Sequence, residues 1–249
     1  GPVSCPSMAC ATSTAAIGMG LQWIRAGECD AVVAGGADAV SVLVHQGFAC
    51  LRALDPELPR PFDRDRAGLG VGEAAGLVLL TRGDVAGPDA ARVAGWGLSS
   101  DANHLTGPDP TGSGVARAVE QALADAGLGP AQVDAVNAHG TATVFNDRME
   151  GQALRRVFGA RAGQVPVDSI KGAIGHTMAA AGVVEAILCA EVLRSGQLPA
   201  TTGLRVPDPE IPLDLVQGAA RAGDYRHVVS TSSGFGGVNA ALVLVRARP

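Results

Sequence analysis

Two stretches of this chain close on the same cadence, and that repetition limits its folds more than any other feature. Residues 72–80 read Gly72-Glu-Ala-Ala-Gly-Leu-Val-Leu-Leu, and residues 237–245 read Gly237-Val-Asn-Ala-Ala-Leu-Val-Leu-Val. Each ends a block of one kind. The first block runs from an apolar helix over 11–27 through a buried strand over 30–37 to the strand at 72–80. The last runs from an apolar helix over 175–195 through a Pro-rich loop over 199–213 to strands near 226–233 and 238–246. Internal similarity of this sort marks a duplicated unit. The second copy has a series of elements ahead of its helix and the first has none. The expectation is two halves, 1–83 and 84–249, with most of the first half's opening part missing and supplied in cis or in trans. A first residue of Gly rather than Met agrees with an upstream part having been removed.

The remaining elements follow from local pattern. Residues 40–50 read as a helix, and residues 52–70 as a Pro- and Arg-rich connection with Arg60-Pro-Phe-Asp-Arg-Asp-Arg66 at its centre. A fresh α/β series then comprises strand 91–98, loop 99–112, helix 113–126, strand 132–138, helix 146–158 and strand 165–168. Charged residues make up only 17% of the 249 and glycines number 34, which predicts closely packed α/β layers rather than disorder. A net charge of −5 argues against a nucleic-acid binder. No uncharged apolar run reaches the ~18 residues of a membrane span, and no signal-peptide pattern is present. Five cysteines without zinc-ligand spacing point to reduced, cytoplasmic thiols rather than disulfides or a metal site.

Three reactive side chains fall where one element gives way to the next. Cys10 stands just before the first helix, where free N–H groups favour a thiolate. His139 follows strand 132–138 in Asn137-Ala-His-Gly-Thr-Ala-Thr143, and His176 opens the last apolar helix in Lys171-Gly-Ala-Ile-Gly-His. In open α/β sheets that edge is where ligands bind. Gly234-Phe-Gly-Gly237, between the final strands, adds a junction where backbone can approach a ligand closely. Lys171 is the single lysine among 19 basic residues. A compact ammonium fits a buried carboxylate where a guanidinium does not.

These motifs, Met8-Ala-Cys-Ala-Thr-Ser, His139-Gly-Thr-Ala-Thr with Asn146-Asp-Arg-Met-Glu150, Lys171-Gly-Ala-Ile-Gly-His and Gly234-Phe-Gly-Gly-Val-Asn239, resemble in order and spacing the β-ketoacyl-acyl-carrier-protein synthases. Arg60-Pro-Phe-Asp and Gly72-Glu-Ala-Ala are similar to that family as well, and the segment from Ser99 to Pro108 resembles its discrete, type II members. The resemblance implies the α/β thiolase fold, two like halves in αβαβα layers, with the first half incomplete here. It implies a decarboxylative Claisen condensation in fatty-acid or polyketide elongation. Cys10 would hold the acyl group, and His139 and His176 would donate hydrogen bonds to the thioester oxygen of malonyl on an acyl carrier protein. Lys171 with Glu150, and Asp147 one turn before it, would orient the histidines. The backbone N–H groups of Cys10 and Phe235 would form the oxyanion hole, and the Phe235 ring would gate the acyl pocket. Thr141 and Thr143 would bind the pantetheine arm, with Thr106 and His104 along the same tunnel.

The same resemblance implies no metal and no cofactor beyond the carrier's phosphopantetheine, and a homodimer or a heterodimer with another ketosynthase-like subunit. Ser233 stands where many members of the family carry a large aromatic residue. Two other readings fit less of the sequence. A non-decarboxylating thiolase relative would carry a second cysteine in place of the paired histidines. A non-catalytic chain-length partner would lack the nucleophile.

Overall fold

A computed structural model describes residues 1–83, 85, 87 and 90–247, so the expected boundary between the halves, at 83/84, meets residues outside the description. The first half contributes α1 (Thr12–Arg25), β1 (Ala31–Asp38), α2 (Val42–Cys50) and β2 (Ala74–Thr81). The second begins with β3 (Arg92–Ser100), α3 (Ser113–Ala126), β4 (Ala135–Asn137), α4 (Val144–Phe158) and β5 (Pro166–Asp168). It continues with α5 (Lys171–Ile174), α6 (Ala181–Ser195), β6 (Gln197–Leu198), β7 (Asp214–Leu215), β8 (Arg221–Ala222), β9 (His227–Gly234) and β10 (Val238–Val245).

The repeat is visible in three dimensions. β1 pairs antiparallel with β2, as β9 does with β10, each over eight register positions. The second pair lies inside a six-stranded sheet of order β3-β10-β9-β4-β5-β7, in which β4, β5, β7 and β9 run parallel. α1 and α6 pack together between the two sheets, while α3 and α4 cover the far side of the larger one. β6 and β8 form a separate short pair.

Burial on both sides explains the apolar run of β9 and β10. Val228, Leu242 and Leu244 face α1 and α6, whereas Val229, Ala241 and Val243 face α3 and α4. β1 and β2 are apolar on both faces too, with Val32, Ala34, Val78 and Leu80 facing the helices. Val33, Leu77 and Leu79 on the opposite face are exposed, the bare flank that an incomplete first half implies. No helix among the described residues is long and apolar enough to cross a membrane.

Two elements differ from expectation. Strand 132–138 shortens to β4 because Pro130–Gln132 forms a 3-10 turn. The helix expected over 175–195 starts only at Ala181, after the separate turn α5 and a 3-10 turn over Met178–Ala180. Gly175 causes the break. Its φ of +73° leaves the helical region, which only glycine does at little cost.

The central helices touch backbone to backbone. A Cβ on Gly182 of α6 would stand 1.9 Å from Thr14 Oγ1 and 2.7 Å from Thr14 N. At this crossing Val183 N–H, one of the α6 donors without an intrahelical partner, donates to Ser13 Oγ at 3.0 Å, and Thr14 Oγ1 bonds Ser232 Oγ of β9 at 2.7 Å. Gly182→Ala is therefore expected to cost about 1–3 kcal/mol by overpacking. Each kcal/mol lowers the melting temperature by about 2–4 °C in a domain of this size. A thermal melt followed by circular dichroism checks this, and an unchanged Tm would mean that the helices can move apart freely.

Candidate active site

Cys10 lies in a 3-10 turn, Ala9–Ala11, that leads directly into α1. Thr12 holds the turn by donating from Oγ1 to Ala9 O and accepting from Met8 N–H. The side chain is buried beneath the β9–β10 hairpin, where a Cβ on Gly234 would stand 3.1 Å from Cys10 N. Burial pushes the thiol up to about 11; the Lys171 charge pulls it down, and Asp38 and Glu185 push it up further. At neutral pH this cysteine is a thiol, so the head of the helix does not by itself make the thiolate that sequence alone led one to expect.

His139 leaves the end of β4, and a buried carboxylate fixes its backbone. Glu150 on α4 accepts the N–H of His139 through Oε1 and that of Gly140 through Oε2, both at 2.8 Å, and the Thr231 hydroxyl at 2.7 Å. His176 is held by a short bridge to the first half: its N–H donates to Gly70 O at 2.7 Å and its carbonyl accepts from Gly72 N–H at 2.9 Å. The two rings meet edge to face, with centroids 5.1 Å apart. Burial drives both imidazoles well below the ordinary value, the Lys171 charge adds to it, and His139 also feels His176. Both are neutral at physiological pH, and neither Nδ1 has a hydrogen-bond partner among the described residues.

Cys10, His139 and His176 line one cavity of about 340 Å³. Thr141, Thr143, His104, Thr106 and Phe235 line it too. Thr141 and Thr143 bond to each other through their hydroxyls at 2.9 Å. His104 Nδ1 accepts the N–H groups of Thr106 and Gly107, which shapes that part of the wall. The half-exposed Phe235 ring rests against Phe48 of α2, centroids 5.5 Å apart. The structure thus brings the three reactive side chains and the tunnel residues together, from both halves of the chain.

The matched families agree with this geometry. Residues 1–86 match the beta-ketoacyl synthase N-terminal domain, and residues 90–205 match the beta-ketoacyl synthase C-terminal domain. The chain belongs to the β-ketoacyl synthase family. Among its relatives, 3-oxoacyl-[acyl-carrier-protein] synthase 2 of Rhizobium meliloti is 40% identical over 258 residues, covering 99% of this chain and 61% of the relative. Among solved structures, the ishigamide ketosynthase/chain length factor superposes with a TM-score of 0.91 at 40% identity, covering 96% of this chain and 60% of the other. A type II PKS acyl-carrier protein in complex with its ketosynthase bound to the hexaketide gives 0.94 at 30%, covering all of this chain and 64% of that one. This ketosynthase-family chain spans about three fifths of the length of these relatives. The fold is the expected α/β thiolase fold with an incomplete first half.

Two expected pairings are not the ones formed. Lys171 makes its ion pair with Glu185 of α6 rather than with Glu150, whose oxygens are taken by the His139–Gly140 loop and Thr231. Asp147 does not reach the histidines. It accepts Phe62 N–H at 2.8 Å and lies 3.5 Å from Arg66 Nε, so it anchors the Arg60–Arg66 connection. Burial lifts its carboxyl to about 6. Sequence reasoning also passed over the apolar wall made by Phe48, Leu51 and Leu69, whose only signal was a high apolar content in segments read as helix and connection. Asn239, in the last motif, is a further residue of the site whose role only the fold reveals. It accepts the Ser233 hydroxyl at 2.8 Å and donates to Asp101 at 2.7 Å on the cavity wall.

Lys171 and Glu185 are each about 98–99% buried. Removing one partner alone leaves an uncompensated group, a loss of about 3–5 kcal/mol, whereas replacing both by apolar residues can be nearly neutral. Urea denaturation should show Lys171→Met strongly destabilised and the Lys171→Met/Glu185→Leu double variant recovering most of the loss. Equal destabilisation of the two would mean that packing, not charge, holds this place.

Proposed function

We propose that the protein containing this chain condenses an acyl group with malonyl on an acyl carrier protein, extending a fatty-acid or polyketide chain by decarboxylative Claisen chemistry. The observation that carries this reading is the meeting of Cys10, His139 and His176 in one cavity, joined by two buried connections between the halves. We read residues 1–83 as the half that carries the nucleophile and 84–249 as the half that carries both histidines.

The chemistry follows from the protonation states. Cys10 begins as a thiol and gives up its proton as Sγ attacks the acyl thioester, with a neutral imidazole in the same cavity able to accept it. The carrier's thiolate leaves with a proton, and the acyl group stays on Sγ. Malonyl thioester then enters and its C–C bond breaks. Carbon dioxide leaves, and the electron pair becomes an enolate. The N–H groups of neutral His139 and His176 stabilise the oxygen where charge develops. The enolate carbon attacks the acyl carbonyl, whose oxyanion is held by the backbone N–H groups of Cys10 and Phe235, and Cys10 thiolate is released.

Thr141, Thr143, Thr106 and His104 serve the pantetheine arm, and the Phe235 ring resting on Phe48 opens or shuts the acyl branch. The scheme draws on the thiol, two imidazoles and backbone donors and calls for no metal or further cofactor. The partners that go with it are an acyl carrier protein and a second ketosynthase-like subunit, in a homodimer or heterodimer. The resemblance to a ketosynthase solved with its acyl-carrier protein, and to a ketosynthase/chain length factor, supports both.

Intact mass spectrometry of the full-length protein, before and after incubation with an acyl carrier protein thioester, tests the proposal. One acyl adduct is expected, mapping to Cys10 and absent from Cys10→Ala. His139→Ala and His176→Ala should still take the adduct but release no condensed product. An unlabelled full-length protein would overturn the enzyme reading in favour of a non-catalytic partner subunit.

A further inference from the structure

A second polar group lies outside the lining of the cavity and is joined to Lys171 through Glu185. Asn137, Asp168 and Ser230 occupy matching register positions on three adjacent parallel strands, β4, β5 and β9, and so form a row across the sheet. Residues Ala135 and Val228, two positions earlier on β4 and β9, pack against α6, so by the twofold alternation of strands the row faces that helix. Glu185 and Cys189 are one turn apart on α6 and face the same interior. All five side chains are at most 1% exposed. Asn137 Nδ2 donates to Asp168 Oδ2 at 3.1 Å, and Lys171 Nζ donates to Glu185 Oε1.

Four buried oxygens in this layer have no hydrogen-bond partner among the described residues: Asn137 Oδ1, Asp168 Oδ1, Glu185 Oε2 and Ser230 Oγ. Three of them only accept, unless a carboxyl carries a proton. The charges conflict as well. Asp168 and Glu185 share with Glu150 a single ammonium, that of Lys171, and like charges so placed do not all ionise. A proton retained on Asp168 or Glu185 supplies a missing donor and brings these two and Lys171 to neutrality.

We propose that Asp168 holds this proton and acts as a positioning residue for the Cys10–His139–His176 site, keeping Glu185 free to pair with Lys171 and the ammonium's field undiminished towards the cavity. Burial lifts the Asp168 carboxyl to about 8; the Asn137 hydrogen bond and Lys171 pull it down, and Glu185 pushes it up. Glu185 itself is lifted to about 7, and Lys171 offsets part of that rise. The other titratable groups facing Asp168 are Cys189 on α6 and Tyr225 ahead of β9, both pushed further up by burial. Between about pH 7 and about pH 8, with Glu185 ionised and Asp168 protonated, the group is neutral. Above that window, a net negative charge opposes the pull of Lys171 on the Cys10 thiol.

The inference rests on Cys10 being the acylated residue, but its test needs no turnover. Wild-type protein carrying carboxyl-labelled aspartate is titrated by infrared difference spectroscopy. A protonated aspartyl band should disappear between about pH 7 and about pH 9 and be missing from Asp168→Asn. In parallel, Cys10 alkylation by iodoacetamide is followed by mass mapping. The ratio of the Asp168→Asn rate to the wild-type rate should be about one near pH 6.5 and should rise roughly three- to tenfold near pH 9.5. If Asp168→Asn does not fold, Asp168→Ser replaces it, and the wild-type band decides the protonation by itself. No aspartyl band lost in that window, or a ratio that stays flat, overturns the proposal. An intact titration in a protein whose Cys10 accepts no acyl group would instead overturn the function proposed above.

Discussion

Everything at the site depends on how closely α1 and α6 approach. The two helices share one layer between two sheets, and at Thr14 and Gly182 no atom fits between them. That contact fixes the head of α1, and with it Cys10, against the turns that precede α6, which hold His176 and Lys171. Ser13 and Thr14 are the polar residues on the buried face of α1. They make sense only as the groups that tie α1 to α6 and β9. A site assembled from two halves needs such a fixed joint, because a shift of an ångström between halves separates Cys10 from both histidines.

The electrostatics of the site follow from burial more than from any single partner. Desolvation is the first cause of the shift in Cys10, His139, His176, Glu150, Glu185 and Asp168, and each moves towards its neutral form. The ammonium of Lys171 is the counterweight. It pulls on the thiol, holds both imidazoles neutral and engages the carboxyls behind it. A resting site of neutral donors suits a reaction in which negative charge appears on oxygen and then disappears, since fixed N–H groups meet that charge without reorganising. An imidazolium in either place would add a proton that the cycle must then remove.

The sequence made the repeat, the three reactive residues and most of the elements legible, because each left a local mark: an apolar cadence, a glycine beside a histidine, a helix preceded by small residues. It hid whatever depends on pairs distant in the chain. The family resemblance paired Lys171 with Glu150, and both are buried, but Glu150 is occupied by the loop that it anchors, so the ammonium turns to a residue 14 positions on. Asp147 looked like a partner of the same system because it lies one turn from Glu150. Its side chain points instead towards the Arg60–Arg66 connection, where Arg66 bridges it and Asp208. The late start of α6 was hidden for a different reason. Gly175 reads as a tolerable helix glycine until its neighbour His176 is seen to donate its N–H to Gly70 O and to accept Gly72 N–H through its carbonyl.

That last bridge has a further consequence. The strand-like pairing of Val71 with His176 leaves room for no side chain at Gly72, where a Cβ would stand 2.2 Å from Ile174 O. The connection from Arg60 is pinned from the other side by Arg66, buried against Asp208 at 2.7 Å. The loop between α2 and β2 is therefore held at two points by the second half. Between them Leu69 lines the cavity wall, which Phe48 and Phe235 also line. The apolar wall belongs to the first half and the histidines to the second, so the shape of the acyl space and the chemistry beside it are set by the same inter-half contacts. A change in one cannot be made without disturbing the other.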